Sequence, residues 1–274
     1  MDLQLTLMIL LSCLGDELIY LILSSMLVML RRNLGIKVAP VLFFSIYLNQ
    51  VLKYWLNVQR PINELNSTET LPLIIRHLVE GEGPSMPSGH TQVSATFWTS
   101  LTLNTYSKAS FIVMTVLPIL VGYSRVALGM HSSSDVITAL LIGYSIPLAA
   151  YVVSNKYRIE YGTYGSSLIL IMLVVSSAIL KYPKLPLISG LITSIFIAKY
   201  LTTDLSSGFA KRLETSLLSL TVLGLGYATL FFNSFDYLSN PISEFLISLT
   251  AGLIAYVLIP VKTGIFRLRG FSSP

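Results

Sequence analysis

The 274-residue chain is 53% hydrophobic and only 11% charged, less than half the roughly 25% charge of an ordinary soluble domain. Its 18 basic and 13 acidic side chains cannot cover the exterior of a soluble protein of this size, so the composition is that of a membrane protein. The formal net charge of +5 does not indicate a nucleic-acid partner, because the basic residues fall between apolar runs and form no stripe interleaved with aromatics.

A helix needs about 20 residues to cross the hydrocarbon core of a bilayer. Apolar runs near that length fall at 7–30, 38–57, 90–107, 110–128, 135–153, 165–181, 184–201, 213–231 and 244–261. They predict an all-α, polytopic transmembrane bundle of nine spans. The count becomes eight if the first run, or one of the pair flanking Lys181-Tyr182-Pro183-Lys184, is not a full crossing. Apolar segments continue to the C-terminus, unlike a cleaved signal peptide ahead of a soluble domain. Cys13 is the single cysteine, which precludes an internal disulfide or thiolate cluster, and it reads as a small buried hydrophobe.

Lys and Arg set the expected orientation. Arg31, Arg32 and Lys37, Lys108, Lys156 and Arg158, Lys211 and Arg212, and Lys262, Arg267 and Arg269 all fall on one side. The positive-inside rule makes that side cytoplasmic, with the N-terminus outside and the C-terminus inside. The loop 62–89 then faces outward. It is polar, holds Glu64, Glu69, Glu80 and Glu82, and closes with Gly81, Gly83, Pro84 and Pro87. Its run Leu71–Val79 suits a short interfacial segment, His77 reads as a surface residue, and Asn66-Ser67-Thr68 is a glycosylation sequon that fits an external face.

Ionisable residues at membrane depth are costly and point to function. Here they gather in three groups at the external ends of spans two to five. Lys53 and Arg60, seven residues or just under two helical turns apart, project from nearly the same face; alone, they read also as side chains snorkelling to head groups beside Tyr54 and Trp55. Pro87-Ser88-Gly89-His90 reads as a tight turn into a helix N-terminus, where free N–H groups and Gly89 allow an anion to approach; alone, it is also an ordinary helix start with an incidental histidine. Ser124-Arg125 precedes His131, and with His131 opening the fifth helix Asp135 lies one turn along on the same side. An Asp accepting the Nδ1 proton would leave Nε2 free to attack, although a structural pair gives the same spacing.

Together the groups supply cationic clamps, a backbone nest, a general acid and a nucleophile with an orienting carboxylate. Two histidines and a carboxylate also suit a metal, but Lys53, Arg60 and Arg125 would repel a divalent cation and favour a multiply charged anion. No metal and no cofactor are expected. Asp16 and Glu17, between Gly15 and Tyr20 in the first apolar run, are expensive unless paired. They read either as partners of a cation such as Lys53 near the external mouth or as a polar kink.

Lys53-x6-Arg60-Pro61, Pro87-Ser88-Gly89-His90 and Ser124-Arg125-x5-His131-x3-Asp135, in this order, resemble the three signatures of the type 2 phosphatidic acid phosphatase (PAP2) superfamily. The likeness covers about residues 45–140, and Gly15-Asp16-Glu17 with Tyr20 also resembles a segment of its membrane members. It implies a six-helix core at 1–160, including the loop 62–89, with residues 161–274 adding further C-terminal helices beyond the usual core. It also implies that His131 is the nucleophile that forms a phosphohistidine, that Asp135 orients it, and that His90 protonates the leaving oxygen and then activates water. Lys53, Arg60, Ser88, Gly89 and Arg125 would hold the phosphoryl oxygens.

Such a metal-independent enzyme would take a lipid phosphate or diphosphate from the surrounding membrane lipids on the extracytoplasmic face. The substrate expected first is a polyprenyl diphosphate such as undecaprenyl or dolichyl diphosphate. Phosphatidic acid, phosphatidylglycerophosphate and transfer to a second lipid keep the same residues as alternatives. Neither the tail nor the oligomeric state is readable from the motifs.

Overall fold

The computed structural model describes residues 3–61, 83–157, 190–191, 193–195, 197–198, 201–205, 207–233 and 241–269. The run 165–181, most of 184–201 and loop residues 62–82, with Asn66, His77 and the interfacial segment, lie outside the described residues. The described elements are overwhelmingly helical. In chain order they are α1 Leu3–Cys13, α2 Glu17–Leu30, α3 Arg32–Leu56, α4 Gly89–Thr105, α5 Lys108–Ala127, α6 Ser133–Tyr157, β1 Thr202–Asp204, α7 Phe209–Asn233, α8 Pro241–Leu253, a π-helical turn Ile254–Leu258, α9 Ile259–Lys262 and β2 Phe266–Leu268. Arg32–Leu56, Lys108–Ala127, Ser133–Lys156 and Phe245–Lys262 are long and apolar enough to cross a membrane, and α1 with α2 counts as a fifth if the bent pair is one span.

That first span is not the continuous helix its sequence suggests. α1 and α2 meet at a 43° bend. The break is a turn in which the N–H of Gly15 donates to Ser12 O and that of Asp16 to Cys13 O. Asp16 then caps α2, because its Oδ1 accepts the N–H of Leu18 at 2.8 Å, the usual service of an N-cap carboxylate.

The chain divides into two compact units, one of Met1–Leu21 with Phe44–Val153 and the other of Ile22–Phe43 with Ser154–Pro274. In the first, α4 is the central helix. At 17 residues it is short for a span, and Thr91, Gln92, Ser94, Thr96, Thr99 and Ser100 are all buried along it. Gln92, Ser94 and Thr96 are satisfied by neighbouring helices, as is common between membrane helices. Gln92 Nε2 donates to Ser45 O at 2.9 Å and to Ser45 Oγ at 3.0 Å. Ser45 and Thr96 share a 2.8 Å hydrogen bond, and Asn49 Nδ2 donates to Gln92 Oε1 at 2.9 Å. Tyr20 reaches α4 from the other side, donating to Ser94 Oγ at 3.0 Å and stacking on Phe97 with centroids 5.2 Å apart.

The outer faces of α1, α5 and α6 instead expose Leu7, Leu10, Phe111, Ile112, Ile119, Ile137 and Leu141, the side chains a lipid phase solvates at no cost. Cys13 is half-buried rather than fully enclosed, packed at the edge of the Met8–Ile9–Leu128 cluster.

The second unit is tied around Arg32, which is buried and not the head-group-facing charge its place in a basic loop suggests. Its guanidinium donates to Thr202 Oγ1 at 2.6 Å, to Thr202 O at 2.9 Å and to Ala198 O at 3.1 Å, and lies over the Phe266 ring at 4.4 Å. Thr202 and Phe266 belong to β1 and β2, a short antiparallel pair. Arg212 closes the same end by a 2.7 Å bond to Asp204 Oδ1, and Ser25 and Tyr256 hydroxyls meet at 2.7 Å.

Candidate active site

Lys53 is fixed first, because it ends α3. The next residue but three, Asn57, takes φ +45°, and its N–H donates to Lys53 O at 3.0 Å, the left-handed helix stop that Asn tolerates. Residues 57–61 leave the helix, so Lys53 and Arg60 do not share a helical face. Pro61 adds to this by disfavouring helical backbone at Arg60. Arg60 is aimed by loop contacts instead: Nε donates to Gly83 O at 2.9 Å and Nη1 to Met130 O at 3.1 Å. One guanidinium thus joins the strand of chain leading to His90 with the turn carrying His131.

The Pro87–His90 turn does lead into a helix. α4 begins at Gly89 with Ser88 as its N-cap. Ser88 is fully buried; its hydroxyl pairs with Thr91 Oγ1 at 3.0 Å and its N–H donates to Asp135 O at 3.2 Å. A Cβ added at Gly89 would meet only Asn49 Oδ1 at 3.4 Å and Lys53 Nζ at 3.9 Å. The helix N-terminus therefore opens directly beneath the ammonium of Lys53, where an anion gains from both the free N–H groups and the charge.

His131 does not open α6; it sits in the turn before it. Ser132 and Asp135 form a reciprocal cap, with the Asp135 N–H on Ser132 Oγ at 3.3 Å and the Ser132 N–H on Asp135 Oδ2 at 2.8 Å. His131 Nδ1 is 3.6 Å from Asp135 Oδ2, longer than a hydrogen bond. Ser85 fills the gap. Its hydroxyl donates to Asp135 Oδ2 at 2.6 Å and lies 3.2 Å from His131 Nδ1. With its proton committed to the carboxylate, Ser85 Oγ can only accept from His131, which selects the tautomer protonated at Nδ1 and leaves a lone pair on Nε2.

His131 is 2% exposed. Burial first, then the charges of Arg125, Arg60, Lys53 and His90, drive its basicity well below that of an ordinary imidazole. All four groups from the separate motifs thus act on this one ring, and it is neutral at neutral pH. Arg125 is completely buried at the end of α5, and its Nη1 donates to Ser12 Oγ at 2.6 Å.

Three participants were not assigned a part from sequence. Ser85 lies inside the motif region but no spacing rule links it to His131. Ser12 is one of many serines in apolar surroundings. Asn49, whose Nδ2 also donates to Pro87 O at 3.3 Å, was findable, because it sits one helical turn before Lys53. Asp16, read from sequence as a partner of a cation such as Lys53 or as part of a polar kink, lies with Gly15 against His90: Asp16 Oδ2 is 3.8 Å from His90 Nε2. Among the described residues, no group of three or more His, Cys, Asp or Glu is placed to hold a metal ion.

An all-α membrane fold with a buried neutral imidazole facing three fixed cations defines a class. Residues 34–159, the stretch carrying all three groups, match the PAP2 superfamily, and with its long apolar helices the chain is an integral membrane protein. It is also similar to an undecaprenyl-diphosphatase of Sulfolobus acidocaldarius, 33% identical over 141 residues, which is 50% of this chain. The matched region spans 64% of that relative's length. No solved structure matches the chain.

Proposed function

We propose that the protein is a membrane lipid phosphatase that removes the terminal phosphate of a polyprenyl diphosphate through a phosphohistidine on His131. The observation that carries this reading is the state of His131: buried, neutral, with Nδ1 held at Ser85 so that the lone pair lies on Nε2, and within the fields of Arg125, Arg60 and Lys53. A neutral imidazole is a nucleophile, and the cations that suppress its protonation are the groups a phosphoryl dianion needs.

In the first step Nε2 forms a bond to phosphorus and the bond to the leaving oxygen breaks, its electron pair staying on that oxygen. A ring proton of His90 moves to the leaving oxygen. The positive charge appearing on His131 is stabilised through Ser85 by Asp135. In the second step water attacks phosphorus, gives a proton back to His90, and the N–P electron pair returns to Nε2. Lys53, Arg60, Arg125, Ser88 and the Gly89 N–H would hold the equatorial oxygens while charge spreads over them. Every charge in this scheme is met by a side chain, so turnover without a metal is expected.

The tail assignment rests on the likeness to the archaeal undecaprenyl-diphosphatase. The extracytoplasmic placement rests on the positive-inside distribution of Lys and Arg, with the N-terminus outside and the C-terminus inside. The test is phosphate release by the detergent-purified protein in EDTA, from farnesyl or longer polyprenyl diphosphate against phosphatidic acid and phosphatidylglycerophosphate. A marked preference for the diphosphate is expected. Preference for a glycerolipid would overturn the substrate while keeping the mechanism, and loss of turnover in EDTA that zinc or magnesium restores would overturn the mechanism.

A further inference from the structure

The break in the first span is built against the site rather than merely near it. Ser12, just before the break, accepts from Arg125 at 2.6 Å. Gly15, within it, lies so close to the start of α4 that an added Cβ would fall 3.0 Å from His90 Cβ and 3.3 Å from His90 O. Asp16, which follows, is buried, and its carboxylate is oriented by the helix it caps: Oδ1 is taken by the Leu18 N–H at 2.8 Å. That leaves Oδ2 directed to His90 Nε2 at 3.8 Å. A span that simply bent at a glycine would need none of these contacts, and a carboxylate that simply capped a helix would be served equally by a serine or asparagine on the surface.

We propose that Asp16 is a positioning residue for His90, balancing across 3.8 Å the charge that His90 carries as the proton donor to the leaving group. The reasoning rests on the phosphatase reading above. His90 and the cations Lys53, Arg60 and Arg125 all act on the His131 ring, so an imidazolium at His90 shares its site with positive charge. Asp16 supplies a negative charge beside His90 whose position is fixed by backbone and not by the substrate. A carboxylate at this distance, shielded from water, offsets such repulsion by Coulomb attraction. The break in the helix is what brings a carboxylate to that depth with its geometry already set.

Asp16→Asn separates this role from capping, because asparagine caps a helix as well as aspartate but carries no charge. The experiment compares formation of phosphohistidine in single turnovers of the full chain, from farnesyl monophosphate and from 4-nitrophenyl phosphate. An alkyl leaving group requires a proton, whereas nitrophenolate does not. Asp16→Asn is expected to slow the alkyl reaction by at least about tenfold, a part of the roughly 10²–10⁴ that general acid catalysis supplies, while changing the nitrophenyl reaction by less than about threefold. Asp16→Ser, another good cap, should show the same selective loss, and Asp16→Glu should recover part of it.

Equal slowing on both substrates would overturn the proposal and leave Asp16 a structural cap; so would unchanged rates on both. If the wild-type chain forms no phosphohistidine from either substrate, the reading of His131 falls and this proposal falls with it. That outcome is distinguished from the others by the wild-type control alone.

Discussion

Ser85 Oγ donates a 2.6 Å hydrogen bond to Asp135 Oδ2, and this contact, more than the His131–Asp135 separation, sets the state of the His131 ring. The 3.6 Å gap between Nδ1 and Oδ2 is too long for a direct bond, so the carboxylate acts through the hydroxyl. Ser85→Ala should therefore leave Nδ1 without its acceptor inside a dry site. A buried polar group left unsatisfied costs about 1–3 kcal/mol, so kcat/KM should fall about tenfold to a hundredfold. His131→Ala, by contrast, should abolish turnover while the protein remains folded in the membrane. A Ser85→Ala enzyme with wild-type kcat/KM would show that Asp135 orients His131 unaided.

The direction of the His131 shift fixes a pH response. Its folded-state basicity lies below that of a free histidine, so below about pH 6.5 the unfolded chain binds a proton that the folded chain refuses. Folding stability should therefore decline as pH falls through that value, and His131→Gln should make the decline shallower by one proton's contribution. Nitrogen NMR of histidine-labelled protein provides the direct reading. One ring, absent in His131→Gln, should keep the neutral Nδ1–H form at pH 5.

Gly89 separates folding from catalysis. An added Cβ meets nothing closer than 3.4 Å, ordinary contact distance, so Gly89→Ala should unfold at the wild-type temperature. The same methyl group enters the space between the α4 N-terminus and Lys53 Nζ where a phosphoryl oxygen is expected to sit. Displacing a reacting group by about 1 Å can cost about 100-fold, and a loss of that size in kcat/KM with unchanged stability is the expected outcome.

Gly15 behaves in the opposite way. Its Cβ would fall 2.4 Å from Val121 Cγ1 and 3.0 Å from His90 Cβ, so Gly15→Ala must displace the break from α4 and α5. Overpacking of this kind costs about 1–3 kcal/mol. A lowered unfolding temperature in detergent is expected, together with reduced activity, because His90 is one of the groups that must shift.

Arg125→Lys tests the buried cation. The guanidinium spends Nη1 on Ser12 and still presents further donors in a fixed plane, which a lysine ammonium cannot reproduce from one point. A loss of one well-placed donor to a developing oxyanion costs about 10²–10³ in kcat. Lysine should therefore give a drop of that order in kcat, with membrane insertion intact.

The membrane class and the helical character of the chain were legible in composition alone, because 11% charge leaves no means of solvating the exterior in water. The spans at 38–57, 110–128 and 135–153 correspond closely to α3, α5 and α6, since each is a long apolar run with its own start and stop. The residues of the three groups were equally legible, because side chains that a lipid phase rejects stand out at fixed spacings. Their arrangement was another matter. The spacing of Lys53 and Arg60 implied one helical face, but Asn57 adopts a left-handed backbone and Arg60 is aimed by two carbonyls from distant turns. His131 was expected to open a helix, but Ser132 and Asp135 cap that helix after it, and a hydroxyl 46 residues earlier enters the gap. In the first run Gly15-Asp16-Glu17 marked a polar kink as one reading; only the packing of Gly15 and Asp16 on His90 reveals what the break is for. Sequence determines which side chains are too polar for their surroundings, since solvation is a property of each residue. Which of them meet is decided by tertiary structure, since hydrogen bonds of 2.6–3.2 Å join atoms that the chain keeps far apart.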